Sequence, residues 1–207
     1  MDMKFFCIAF VILIISTKSA TSQTIYKISH PIDLENHAYV DSAGVLIIPF
    51  GKFYNGPDMI KDSTIGILWS MKGKEPGGFW AVNNKGQELF QIVHKDGPDE
   101  FHGGLIRIYG KDNLMGFANM KGEIVISPRY VFVSPFYDGI IATFCEGCPA
   151  NYYKTISKVS VLEKEEAKIS EMKPKFGAID RQGKVVIEPT NAKRYDELKK
   201  EYLSRKK

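Results

Sequence analysis

The stretch Met115-Gly116-Phe117-Ala118-Asn119-Met120-Lys121-Gly122-Glu123-Ile124-Val125-Ile126-Ser127-Pro128 decides how this chain folds. Two apolar runs flank Asn119-Met120-Lys121-Gly122. Asn at the first position of a tight turn accepts a hydrogen bond from the backbone two residues on. Gly at the fourth position tolerates positive φ and completes a hairpin with a bulge. The same pattern returns between apolar runs as Asp41-Ser42-Ala43-Gly44, Asn83-Asn84-Lys85-Gly86 and Asp180-Arg181-Gln182-Gly183. Repetition of one turn with one flanking chemistry means duplication of one small unit. It predicts an all-β chain of tandem antiparallel hairpins with Gly44, Gly86, Gly122 and Gly183 as structural turn glycines.

The flanks repeat with the turn. Three positions before each Asp or Asn stand Ala38, Trp80, Gly116 and Gly177, and one position before it Val40, Val82, Ala118 and Ile179. After the turns come Val45-Leu46-Ile47-Ile48, Gln87-Glu88-Leu89-Phe90, Glu123-Ile124-Val125-Ile126 and Lys184-Val185-Val186-Ile187. Pro49, Pro128 and Pro189 close three of these runs. β-branched residues on both sides of a Gly turn, stopped by Pro, read as hairpins. A second element, Phe-x-x-Gly, occurs at Phe53–Gly56, Phe101–Gly104 and Phe136–Gly139. In the second copy Gly104 aligns with the motif and Gly103 stands outside it. From Phe101 to Phe136 the period is 35 residues.

These residues, in the order Phe101, Gly104-Leu105, Gly116, Asn119, Gly122, Ile124-Val125-Ile126, Pro128 and Tyr130, resemble the WG repeat, a β-rich repeat found mostly in bacterial proteins. Phe176-Gly177-Ala178-Ile179-Asp180 to Pro189 is the next best copy, and the first two copies are degenerate. The resemblance spans residues 37–198, with insertions at 58–73 and 149–175. Met115-Gly116 and Phe176-Gly177 stand where the family has Trp-Gly, a dipeptide this chain lacks. The resemblance implies a structural or interaction unit, often in exported or envelope proteins. It attaches no catalytic residues to the motif.

The N-terminus reads as a secretory signal peptide over residues 1–22. Lys4 supplies the basic start, Phe5 to Ile15 is an apolar run of eleven residues, and Ala20 and Ser22 suit cleavage before Gln23. A membrane anchor needs about 20 apolar residues, and Lys18 closes this run well short of that. The expected location is therefore the periplasm, the cell envelope or the exterior, with no transmembrane segment after cleavage. Residues 23–36 read as an N-terminal extension.

The net charge is +4, and residues 193–207 hold seven basic and three acidic residues of it. The body is close to neutral, which argues against a nucleic-acid partner, since that would need a basic face on the fold itself. Residues 199–207 read as a basic tail. Ahead of it, Ala192 to Leu203 predicts a helix with one apolar stripe, Tyr195, Leu198, Tyr202 and Leu203, able to cap the last repeat. Within the 149–175 insertion, Ser160-Val161-Leu162-Glu163 has the form of a capping box, and Lys164 to Met172 favours helix.

Cys145 and Cys148 are the disulfide candidates in a mature exported chain. Free thiols, a redox pair or half a metal site are the alternatives, and no second Cys-x-x-Cys exists to complete zinc ligation. The densest polar cluster, His94-Lys95-Asp96-Gly97-Pro98-Asp99-Glu100-Phe101-His102, reads first as a solvated loop and second as an acid–base or metal site. Trp69, Phe79, Trp80, Tyr137, Tyr152 and Tyr153 either cross-link sheets or form a recognition surface. Tyr152 and Tyr153 are the binding candidates, because they open an insertion where no strand pattern needs them. No phosphate loop, zinc-protease helix, nucleophile elbow or calcium loop is present. The expectation is an exported, non-enzymatic binding protein without a cofactor, whose ligand is a protein or an envelope glycan. Its rival is a small exported enzyme, metal-dependent through His94–His102 or redox-responsive through the cysteines.

Overall fold

The computed structural model of the chain describes residues 23–70, 77–94, 97–149 and 173–206. The expected leader, Tyr152, Tyr153 and the expected helix Lys164–Met172 lie outside the described residues. The described residues form antiparallel strands, a short 3-10 turn at Lys111–Asn113 and a C-terminal helix. The strands are β1 (Ile25–Ser29), β2 (His37–Val40), β3 (Leu46–Phe53), β4 (Met59–Ile60), β5 (Gly66–Ser70), β6 (Gly78–Val82) and β7 (Glu88–Ile92). They continue as β8 (Leu105–Tyr109), β9 (Met115–Asn119), β10 (Ile124–Tyr130), β11 (Ile141–Glu146), β12 (Lys175–Asp180) and β13 (Val185–Thr190), followed by helix α1 (Ala192–Ser204). They form sheets of order β3-β2-β1-β4, β10-β9-β8-β7-β6-β5 and β11-β12-β13.

The repeating unit has three strands, a leading strand joined to the predicted hairpin. The units are β1-β2-β3, β5-β6-β7, β8-β9-β10 and β11-β12-β13, and pairing of β7 with β8 fuses the second and third into one sheet. Residues 23–36 are therefore not an extension. They supply β1, which lies inside the first sheet between β2 and β4. The basic tail likewise begins later than expected, because α1 runs to Ser204.

All four turns close in one way. The backbone N–H of Gly44, Gly86, Gly122 and Gly183 donates to the carbonyl of Asp41, Asn83, Asn119 and Asp180 at 2.9–3.0 Å. The Asp or Asn side-chain oxygen accepts two more backbone N–H groups, at 2.9 and 3.1 Å for Asn119. The glycines hold φ between +72° and +84°. Every hairpin carries a register shift, as a bulged turn requires. Gly103, which the motif leaves unconstrained, also has φ +58°, and a Cβ there would lie 3.2 Å from Cα of Gly139. The close approach of two Phe-x-x-Gly turns constrains it, a long-range contact invisible in a single motif.

Alternation along the middle strand sends neighbouring residues into different cores. Tyr39, Ala81, Phe117 and Ala178, two positions before each turn, lie in the first, second, third and fourth cores. Val82, Ala118 and Ile179, one position before, lie in the first, second and third. Ile48, Phe90, Ile126 and Ile187, four positions after the turn glycine, join Tyr39, Ala81, Phe117 and Ala178 in turn. Each unit thus closes a core with the unit after it. The fourth core closes with α1, through Tyr195, Leu198, Tyr202 and Leu203, the predicted stripe. Asn191 caps this helix by accepting from Arg194 N–H at 3.0 Å, and the Tyr195 hydroxyl bonds that of Thr143 on β11.

The turn glycines also touch the unit before them. A Cβ at Gly86 would meet Ile48 and Ile47, at Gly183 it would meet Ile126, and at Gly122 it would meet Leu89 at 2.5 Å and Ile65 at 2.8 Å. At Gly44 it would meet nothing within 4 Å, because no described unit precedes the first. Gly44→Ala should therefore cost only the left-handed backbone term, about 1–2 kcal/mol. Gly122→Ala should cost that plus roughly 1–3 kcal/mol of overpacking. Urea unfolding of the two variants checks this, and equal losses would show that the turns do not stack on preceding units.

Candidate functional site

Strand direction divides each unit into two ends. One end carries the Asp/Asn-x-x-Gly turns. The connection from leading to middle strand leaves from the other: residues 30–36, 71–77, 110–114 and 147–174. Their sequences share no pattern, and the last is the 149–175 insertion with its flanks. At this end Trp69 stands opposite Phe79 across β5 and β6, ring centroids 4.7 Å apart. His94 lies edge-on to Trp69 at 6.3 Å, Phe79 at 6.0 Å and Tyr109 at 6.5 Å. All four rings are half-buried. Phe79 also packs on the second core, and Trp80 on the first, so the cross-linking role of these aromatics is part of the picture.

Cys145 and Cys148 sit at the same end, joined as a disulfide with Cα atoms 5.9 Å apart. Cys145 is the fifth residue of β11 and pairs in register with Phe176 of β12. The bond therefore fixes the point where the chain leaves the sheet for the insertion.

The polar loop does not form one cluster. Asp99 leaves it for the interior, where both its oxygens meet Arg107 of β8: Nε to Oδ2 at 3.0 Å, Nη2 to Oδ1 at 2.8 Å, with Arg107 N–H donating to Oδ2 at 3.1 Å. Both side chains are buried, and Arg107 Nη1 donates to the Val133 carbonyl at 3.2 Å. His94 joins the aromatic group, while His102 packs edge-on to the exposed Tyr137 at 4.9 Å. Among the described residues no group of three or more His, Cys, Asp or Glu is placed to hold a metal ion. Also among the described residues, no helix is long and apolar enough to cross a membrane.

Sequence reading passed over two buried polar residues. Arg107 lies within the apolar run Leu105–Tyr109, where an interior Arg signals a buried carboxylate partner. His37 of β2 is 8% exposed, and its Nδ1 has no hydrogen-bond partner. Burial, then the Lys27 ammonium, holds its pKa below the ordinary value, against a weaker pull from Asp33 and Asp58.

Two outcomes follow from these residues. Asp99→Ala leaves a buried guanidinium uncompensated and should cost roughly 3–5 kcal/mol in urea unfolding, whereas Asp99→Leu with Arg107→Met should recover most of the loss. A double variant as damaged as the single one would mean that the ion pair is not the source. For His37, the folded pKa is depressed, so its contribution is full above about pH 6.5 and is lost as pH falls through the folded value. The thermal midpoint of the wild type should drop more steeply from neutral to acid pH than that of His37→Asn, and parallel curves would contradict this assignment.

No curated protein and no solved structure matches the chain. A family model described as WG containing repeat matches residues 115–147 and 176–190. These segments are the middle strand, turn and following residues of the third unit through β11, and the β12–β13 hairpin, and the gap between them is the insertion. The match thus falls on the third and fourth units, which are similar to WG repeats.

Proposed function

We propose that this chain is an exported, non-catalytic binding protein that works without a cofactor and takes a protein or an envelope glycan as its ligand. One observation carries the reading. The four connections from leading to middle strand leave each unit at the end opposite the turns of common geometry; they run from five to twenty-eight residues and share no sequence pattern, where the turns keep one length and one hydrogen-bonding scheme. Repeat proteins place their binding surface where insertions collect, because loops vary there without disturbing the stacked cores. The disulfide, the 149–175 insertion and the rings of Trp69, Phe79, His94 and Tyr109 all belong to that end. Tyr152 and Tyr153 open the same insertion and offer large contact area at low entropic cost.

The non-catalytic part of the reading draws support from the polar loop. Asp99 is committed to Arg107, and His94 and His102 pack on different aromatic partners, so these three groups are not gathered into one acid–base site. The apolar leader-like segment supports export, and the near-neutral body speaks against a nucleic-acid ligand.

Deleting residues 151–172 should leave the far-ultraviolet circular dichroism of the sheets intact and abolish capture of envelope proteins or binding to isolated cell-wall glycan. Trp69→Ala should weaken the same binding at least several-fold. Binding that survives both changes and is lost on Lys121→Glu, in the third turn, would put the site at the opposite end and overturn the proposal.

A further inference from the structure

The stack of cores has a closed end and an open one. Three junctions lie between successive units, and α1 covers the fourth core. No described residue covers the corresponding face of the first unit. Cross-strand register runs one row over that face, Leu46 on β3, Val40 on β2, Tyr26 on β1 and Met59 on β4, with Ile28 and Ala38 as the neighbouring pair. Val40 stands one position before its turn, where Val82, Ala118 and Ile179 are each core residues. Tyr26, Ile28, Leu46 and Met59 are 43, 39, 54 and 43% exposed, while the small Ala38 between them is fully buried. None of these residues carries a charge. Exposed side chains of this kind in one patch make up roughly 400 Å², the size at which apolar patches on monomers serve interaction.

The empty space at Gly44 marks the same vacancy. At Gly86 and Gly183 the preceding unit supplies an isoleucine against the turn and a basic side chain to its carbonyl, Lys52 to Gly86 O at 3.3 Å and Arg129 to Gly183 O at 2.8 Å.

We propose that a second copy of this chain occupies it, first sheet against first sheet. The other end of a neighbouring copy cannot serve, because α1 lies over its final core. The open face is then left to meet itself, which is an isologous contact that closes at two. Aligned sheets packed face to face interdigitate apolar rows of this kind. Pairing buries roughly 800–1,000 Å² in total, below the roughly 1,200 Å² at which stable specific interfaces begin, so the dimer is a weak one that dissociates on dilution.

Sedimentation velocity of the full mature chain over a micromolar concentration series tests this. The expected result is a monomer–dimer equilibrium with no larger species. Leu46→Lys, and independently Met59→Lys on β4, should weaken dimerisation at least tenfold while the far-ultraviolet spectrum stays native. Met120→Lys, equally exposed but at the third turn, should leave the dimer unchanged. A wild type that is monomeric throughout the series, a dimer that survives both lysine variants, or a ladder of larger species would each overturn the proposal.

Discussion

The fold depends on the alternation of side chains along each middle strand. Ala81 and Val82, Phe117 and Ala118, and Ala178 and Ile179 point to opposite faces of their sheets, and each of these pairs therefore serves two different layers, while in the first unit Tyr39 alone of its pair enters a core. A slip of one residue would exchange the members of every pair and empty both layers at once. The Asp/Asn-x-x-Gly turn prevents the slip. Its side-chain oxygen holds two backbone N–H groups and its glycine takes a backbone angle that other residues resist, so register is set within a few residues, before distant packing has a say. The glycine before the turn has a similar task. A Cβ at Gly177 would meet the Phe144 ring and the Ile187 carbonyl oxygen at 2.8 Å, so the strands approach as closely as they do only because none is there.

Local chemistry made most of this legible in the sequence. The turns, the strands that flank them, the helix with its stripe of Tyr195, Leu198, Tyr202 and Leu203, and the WG-like character of the third and fourth units are all patterns confined to a dozen or so residues. What escaped was decided across longer distances. Ile25 to Ser29 is too short to declare itself, and only pairing with both β2 and β4 makes it an interior strand. Gly103 is constrained by Gly139 of the next unit. Asp99 looked like one more solvated loop residue until Arg107 gave it a buried partner.

The candidate site was legible to a different degree. Trp69 and Phe79 read as possible recognition aromatics, and their pairing across β5 and β6 follows from the strands themselves. Their grouping with His94 and Tyr109 does not, since it needs the β7–β8 pairing that joins two units. Division of labour between the two ends of each unit was also hidden, because a linear sequence does not show which loops leave a sheet together. Once strand directions are known, the invariant turns fall at one end and the variable connections at the other.

The serial arrangement of the cores bears on the order in which the molecule assembles. Each layer is completed by the unit that follows it, so nearly all the pairing joins neighbouring stretches of chain. Local pairing of this kind keeps most loop closures short, and units can settle in the order in which they are delivered. The last layer is the exception in kind. Its apolar residues Ile141, Ala178 and Ile187 wait on Tyr195 and the rest of α1. A chain lacking Ala192–Ser204 would keep its sheets and its turns yet present unfinished apolar surface, the kind that chaperones and proteases recognise, so that α1 decides whether the last layer reaches the cell's quality control finished.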